Sequence, residues 1–376
     1  MKVMICASGS GGHIYPALRL AEELRNGRFA ADIVFLSTRR SIEKKIFEKT
    51  SFRVISTDVI SPYSGDGGNY LKFLLKYLNF LLKFIIESIK AAMLMRRERP
   101  DVVVGFGGIG SITAVIAATL MLIPTVIHEQ NLVPGRANRL LARFATKISL
   151  GFIQSAKNFS RKDTEYTGNP LRGGLTRIDR AQARCALNLD SEKFTIFVFG
   201  GSQGSEFLNT AFLQGMQHIP DYLINKIQVI HSTGSNDNRD ICAGYRRYAV
   251  PNKVFSYCTD MSTAYSAADI VISRAGAGTL SEINYFGRPA VLIPYPYAQA
   301  HQVRNAQCLQ EQGAACLVFQ DKDSARQIGY AVARLIQDRT ALEAMAQKSR
   351  SLSDDAAVSK LAALIGAVAQ KGSKVR

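Results

Sequence analysis

Acidic side chains are scarce in this chain: 30 Asp and Glu stand against 47 Lys and Arg, a formal net charge of +17. The deficit is uneven. Residues 1–172 hold 25 basic and 13 acidic side chains, a net of +12, while residues 173–376 hold 22 and 17, a net of +5. An excess placed this way points the first half at something anionic, either nucleic acid or the headgroups of an acidic leaflet. No aromatic–basic interleaving and no nucleic-acid module accompanies the charge, so nucleic acid is the weaker partner. The cysteines (Cys6, Cys185, Cys242, Cys258, Cys308, Cys316) include no CxxC pair and no Cys/His spacing suited to zinc. They read as reduced, mostly buried thiols of a cytoplasmic protein. No DxD-type pair closes a strand, so neither a metal-bound pyrophosphate site nor a cofactor is expected. The opening apolar run, Met1–Ala7, is far shorter than a signal-peptide core and reads as a first strand. Repeats of 20–50 residues and low-complexity tracts are also missing.

What is present is a rhythm. Apolar, β-branched runs recur, each followed by glycine and then a helical pattern. They fall at Val3–Ala7, Asp32–Ser37, Val54–Ile60, Asp101–Gly105, Thr125–His128 and Thr146–Phe152, then at Phe194–Phe199, Gln228–His231, Val254–Tyr257, Asp269–Ser273, Ala290–Pro294 and Ala315–Phe319. Near-continuous apolar strands alternating with helices predict parallel sheets covered on both faces. Two such sets in 376 residues predict an α/β chain of two doubly wound, Rossmann-like domains. Gly and Pro accumulate over Thr167–Gly174, placing the joint there, with domains at 1–170 and 171–350. The tail Asp354–Lys371 reads as an amphipathic helix capped by Asp354 or Asp355. In such sheets ligands bind beyond the carboxyl ends of strands, where glycine loops open helices.

Those loops carry the polar residues. Ser8-Gly9-Ser10-Gly11-Gly12-His13 follows the first strand; Ile14 breaks the GxGxxG dinucleotide spacing, and His13 adds a titratable imidazole at a helix start. His128-Glu129-Gln130-Asn131 ends a buried strand and reads as a hydrogen-bonding set for a polyhydroxyl ligand. Gly200-Gly201-Ser202-Gln203-Gly204-Ser205 suits a pyrophosphate through backbone N–H groups and hydroxyls. Ser273–Glu282 places small residues at a helix start, leaving room for a nucleotide, with Glu282 reaching the ribose hydroxyls. Pro294-Tyr295-Pro296 leads to His301, Gln302 and Asn305, groups fit for sugar hydroxyls. Arg172 and helix N-termini would meet diphosphate charge.

The ordered set GSGGHIYPAL, IHEQNLVPGRANRLLA, TGNPLR, GGSQGS, SRAGAGTLSEI and PYPYAQAHQVRNA resembles the MurG family, bacterial UDP-N-acetylglucosamine–N-acetylmuramyl-(pentapeptide) pyrophosphoryl-undecaprenol N-acetylglucosaminyltransferases. The resemblance runs through both halves. It implies a GT-B fold, two Rossmann-like domains facing across a cleft, and an inverting transfer from UDP-N-acetylglucosamine to the 4-hydroxyl of the muramyl sugar of polyprenyl-linked lipid I, giving lipid II for peptidoglycan. It also implies roles by position. Ser10, Gly11 and Gly12 would form the donor-side glycine loop, Asn131 and Arg172 would reach the donor, and Ser202 would contact the phosphates. The backbone at Cys258 would hold the uracil, Ala277, Gly278, Thr279, Leu280, Ser281 and Glu282 would cradle the nucleoside, and Gln302 would bind the N-acetylglucosamine. His13, or else Glu129, would take the acceptor proton. Ser8, Ser10, Ile109 and Thr113 depart from the family's usual glycine, threonine, tyrosine and proline. A sugar-nucleotide epimerase on the same fold and a diacylglycerol-dependent glycolipid synthase are the rival readings.

Residues 71–97 carry one more signal. Lys72, Lys76, Asn79, Lys83, Glu87 and Lys90 recur at three- and four-residue spacing, a single polar stripe, with Leu, Phe and Ile elsewhere. The uncharged runs are too short to span a bilayer, which needs roughly 20 apolar residues. The segment reads as an interfacial helix, inserting Leu74, Leu78, Phe80, Leu81 and Phe84 into an anionic membrane surface at the inner face of the bacterial plasma membrane. The plain alternative is a helix buried against the sheet.

Overall fold

Valine, isoleucine and phenylalanine fill the strands, and most strands are buried along nearly their whole length, as a sheet covered on both faces requires. The computed structural model describes residues 1–9, 11–58, 70–159, 163–201, 203–234, 237–297 and 301–373. The chain divides into two compact units, residues 1–173 with 356–376, and residues 174–355.

Unit 1 holds seven strands: β1 (Lys2–Cys6), β2 (Asp32–Thr38), β3 (Arg53–Thr57), β4 (Val102–Gly105), β5 (Thr125–Glu129), β6 (Lys147–Leu150) and β7 (Thr164–Tyr166). They pair in parallel in the order β3-β2-β1-β4-β5-β6-β7. Unit 2 holds six: β8 (Phe194–Phe199), β9 (Ile227–Ser232), β10 (Asn252–Phe255), β11 (Ile270–Ser273), β12 (Ala290–Leu292) and β13 (Ala315–Leu317), in the parallel order β10-β9-β8-β11-β12-β13. Both are doubly wound, with strand order reversing beside β1 and beside β8, where such sheets open ligand crevices. β7 escapes the sequence reading because Thr164-Glu165-Tyr166 is a half-exposed edge strand with no apolar run. The run Val54–Ile60 contributes only to Thr57; residues 59–69 lie outside the described set.

The helix Gly11–Asn26 buries Ile14, Leu20, Ala21 and Leu24 against Val3 and Ile5 of β1. Leu361, Ile365 and Val368 of the final helix, Ala357–Ser373, join that same core. Asp355 does not cap this helix. It accepts from Arg177 Nη2 at 2.9 Å and Arg350 Nη2 at 3.2 Å, a clamp within unit 2. The six cysteines are free thiols; Cys6, Cys258 and Cys308 are buried, and Cys185 is exposed.

The helix Tyr70–Glu98 corrects the polar-stripe reading at one end. Glu87 is 4% exposed and faces inward, accepting from Asp58 N–H at 3.3 Å and Lys90 Nζ at 2.7 Å. Ala91, Met95 and Glu98 are the other inward positions. The apolar flank is what meets solvent: Leu74, Leu75, Leu78, Leu81, Leu82, Ile85, Ile86, Ile89 and Met93 are all exposed, whereas Phe80 and Phe84 are half-buried with ring centroids 6.2 Å apart. The buried-helix alternative therefore fails over most of its length. No helix among the described residues is long and apolar enough to cross a membrane.

Candidate active site

In unit 1 the loops after β1, β2, β4 and β5 converge at the carboxyl edge of the sheet. His13 lies in the first turn of the Gly11–Asn26 helix, half-buried. Its ring is flanked by backbone that only glycine allows. A Cβ on Gly107 (φ +92°) would stand 3.3 Å from His13 Nε2, and one on Gly9 (φ +105°) 3.7 Å from Nδ1. Asn138 Nδ2 lies beside Gly107 as well and donates to His128 O at 3.0 Å and Glu129 Oε2 at 2.9 Å. Ser8, at a usual glycine position of the resembling family, joins two loops by accepting from Gly110 N–H at 3.2 Å. Ser10 lies outside the described residues. Gly11 is buried and Gly12 exposed.

Most of the set ending β5 is engaged within unit 1. His128 is 0% exposed, its Nδ1 2.7 Å from Ser149 Oγ and its Nε2 3.1 Å from Asn169 Oδ1. Burial pulls its pKa down to about 4, with the Asn169 contact opposing. Gln130 donates to Phe106 O at 2.9 Å. Glu129, 1% exposed, accepts from Asn131 N–H (2.8 Å), Asn131 Nδ2 (3.2 Å), Gly135 N–H (3.0 Å) and Asn138 Nδ2 (2.9 Å). Burial raises the Glu129 pKa and these four bonds oppose it. A carboxylate engaged by four intramolecular donors shapes its loop. Only Asn131 of the quartet is partly open to solvent. Polar residues at a strand end look alike in sequence whether they bind ligand or pin a loop. Arg172 is half-buried, its guanidinium 5.1 Å above the Tyr15 ring.

In unit 2 the loop after β8 ends at Ser205, which caps the helix Glu206–Gly215 by accepting from Leu208 N–H at 3.3 Å. Ser202 lies outside the described residues. The sequence reading did not single out Arg274, directly after β11. It is 8% exposed, donating to Ser205 Oγ at 2.8 Å and Ile293 O at 3.0 Å, with the Phe207 and Tyr295 rings each 5.7 Å away. Among the described residues no carboxylate pairs with it, and burial lowers its pKa. An arginine set between an apolar strand and a run of small residues was the available signal.

The helix Ala277–Phe286 starts at Gly276 with no side-chain cap. Leu280 and Ala277 are buried, so they can offer a ligand little but backbone; Gly278, Thr279 and Ser281 are half-buried. Ser281 Oγ donates to Ala277 O at 3.1 Å. Glu282 is 4% exposed and accepts from Tyr265 OH at 3.0 Å. Cys258 is buried, its N–H bonded to Ser232 Oγ at 3.1 Å. Gln302 Oε1 accepts from Tyr295 N–H at 3.0 Å, which links it through Tyr295 to Arg274. No group of three or more His, Cys, Asp or Glu able to hold a metal occurs among the described residues.

Sequence comparison decides the family. The UDP-N-acetylglucosamine–N-acetylmuramyl-(pentapeptide) pyrophosphoryl-undecaprenol N-acetylglucosamine transferase of Halothermothrix orenii is 37% identical over 362 residues, 94% of this chain and 95% of that protein. The chain belongs to the MurG family. Residues 3–150 match the glycosyltransferase family 28 N-terminal domain, and residues 195–362 match its C-terminal domain. The crystal structure of Acinetobacter baumannii MurG superposes with a TM-score of 0.78 at 26% identity, covering 97% of this chain and 99% of that one. The calicheamicin glycosyltransferase superposes at 0.68 with 16% identity over 98% of each chain, a likeness of fold alone. The chain is a family 28 glycosyltransferase with two Rossmann-like sheets of GT-B type. Of the two departures from the MurG pattern near Gly107, Thr113 is buried, its hydroxyl donating to Gly110 O at 3.1 Å, and Ile109 is half-buried at the helix start.

Proposed function

We propose that this MurG-family enzyme transfers N-acetylglucosamine from UDP-N-acetylglucosamine to the 4-hydroxyl of the muramyl sugar of lipid I, with inversion, to give lipid II. The observation that carries the donor half is Arg274, a buried cation beside the helix cap Ser205 with no carboxylate partner among the described residues. A diphosphate supplies the missing anion. Unit 2 is then the donor domain: Arg274 and the uncapped N-terminus at Gly276 meet the leaving UDP charge, Glu282 takes the ribose hydroxyls, Cys258 backbone the uracil, and Gln302 the sugar. Unit 1 is the acceptor domain. The acceptor hydroxyl attacks the anomeric carbon from the face opposite UDP, and His13 takes its proton.

The acceptor is a lipid, and unit 1 offers a surface for it. The helix Tyr70–Glu98 exposes a row of Leu, Ile and Met, with Lys83, Lys90, Arg96 and Arg97 also exposed, which suits shallow insertion into an anionic leaflet at the inner face of the plasma membrane. The deciding experiment mixes the purified protein, labelled UDP-N-acetylglucosamine and lipid I in anionic vesicles. Label moving into the lipid fraction is expected. Release of free sugar or epimerised nucleotide, with an unlabelled lipid, overturns the reading.

A further inference from the structure

One buried acid in unit 1 takes no part in the chemistry above. Glu43, 1% exposed, sits in the first turn of the helix Ser41–Phe47. Its Oε1 accepts from Gly9 N–H at 2.7 Å and Thr38 Oγ1 at 2.7 Å; its Oε2 accepts from Thr38 N–H at 2.7 Å and Ser37 Oγ at 2.6 Å. Burying a carboxyl group is costly unless its acceptors are filled, and here all four bonds are short. Two of the donors are backbone amides on different elements. Thr38 ends β2, while Gly9 opens the glycine loop after β1. The group therefore ties that loop to the neighbouring strand at Gly9, where φ is +105°. His13 Nδ1 lies 3.7 Å from the position a Gly9 Cβ would take, so the Gly9 peptide forms one wall of the imidazole's seat.

We propose that Glu43 is a positioning residue for His13, fixing the Gly9 peptide against which the imidazole is oriented; this rests on reading His13 as the proton acceptor. The charge of a carboxylate is not the point. Its two oxygens are, because each receives one backbone N–H. An amide has a single acceptor oxygen, so in Glu43→Gln the NH2 group must face either Gly9 N–H or Thr38 N–H, and one of the two anchors is lost. A misplacement of about 1 Å at a reacting group costs on the order of 100-fold in rate.

The test is steady-state kinetics with lipid I and calorimetry with UDP on Glu43→Gln, His13→Asn and the double variant. Glu43→Gln should lose about 10- to 100-fold in kcat, keep wild-type UDP affinity, and add nothing to the loss in His13→Asn. Residues acting as one unit show such non-additivity; a merely structural role lowers the melting temperature and multiplies the losses. If Glu43→Gln melts below the assay temperature, Gly9→Ala strains the same peptide and is read by the same criteria. Wild-type kcat in the Glu43 or Gly9 variant beside a disabled His13→Asn overturns this proposal alone, as do multiplying losses. Wild-type kcat in His13→Asn overturns the reading of His13, and this proposal with it.

Discussion

Replacing Arg274 by Met should separate binding from stability. Arg274 is 8% exposed with no carboxylate partner among the described residues, so its guanidinium carries a desolvation cost that lowers its pKa. Its bonds to Ser205 Oγ (2.8 Å) and Ile293 O (3.0 Å) return part of that. Methionine fills much of the same volume, removes the cost, and strands one carbonyl, a penalty of about 1–3 kcal/mol. These terms oppose, so the apo protein should change stability by only about 1 kcal/mol, a few °C in melting temperature. Binding has no such compensation. Loss of a charge-assisted contact to the diphosphate should weaken UDP by about 1.5–3 kcal/mol, roughly 10- to 150-fold in Kd. Uridine lacks the diphosphate and should bind the variant as it binds the wild type. Calorimetry with both ligands, beside thermal melts, reads all three numbers. Equal weakening of UDP and uridine would mean that Arg274 shapes the pocket, and unchanged UDP affinity would remove it from the donor site.

Three further outcomes are expected. His13→Asn should lower kcat by about two to four orders of magnitude while leaving UDP affinity alone; near wild-type turnover rules it out as the base. Leu78, Leu82 and Ile85, all more than half exposed, can be changed to Ser together without opening a core; vesicle sedimentation should show loss of binding to anionic liposomes, with UDP affinity intact, and retained binding refutes the docking surface. His128, with its pKa held at about 4 by burial, stays neutral in the fold while the unfolded chain protonates near 6.5. Its contribution is therefore full above about pH 6.5 and falls by about 3 kcal/mol as pH drops to 4. Chemical unfolding across that window should be steeper in wild type than in His128→Gln, and identical slopes contradict the assignment.

Twelve strands were legible because parallel strands buried on both faces leave continuous apolar runs. β7 was not, since an edge strand reading Thr-Glu-Tyr needs no apolar residue. The loops were legible as loops for a similar reason, because glycine marks close backbone approach. Their chemistry was harder. His128, Glu129 and Gln130 pointed to a ligand in sequence, yet their partners are Ser149, Asn169, Phe106 O and their own loop, contacts that only three-dimensional proximity reveals. Glu43 was invisible for the opposite reason. In Ser-Ile-Glu-Lys-Lys an acid in a helix's first turn looks like an ordinary solvated residue favouring the helix dipole. Glu87 fell on the expected polar stripe by spacing, but the stripe rotates into the body of unit 1, where Asp58 N–H and Lys90 meet it.

The buried charges at the carboxyl edges of the two sheets can be set beside the substrates proposed for each unit. At the carboxyl edge of the unit 1 sheet Glu43 and Glu129 are buried acids, Glu43 filled by donors from β2 and the loop after β1, and Glu129 by donors from the segment that follows it. Such groups ask nothing electrostatic of a ligand; they hold the loops around His13 in one shape. At the corresponding edge of unit 2 Glu282 is a buried acid that accepts from Tyr265 OH, and Arg274 is a buried cation with five N–H donors, bonded to one carbonyl and one hydroxyl. Among the described residues no carboxylate pairs with Arg274, which under the proposed function leaves donors for the diphosphate. A hydroxyl nucleophile is neutral and needs orientation, whereas a departing diphosphate needs charge. Under the proposed function, preorganised geometry in unit 1 serves the acceptor, and in unit 2 a buried cation with no carboxylate partner among the described residues serves the leaving group.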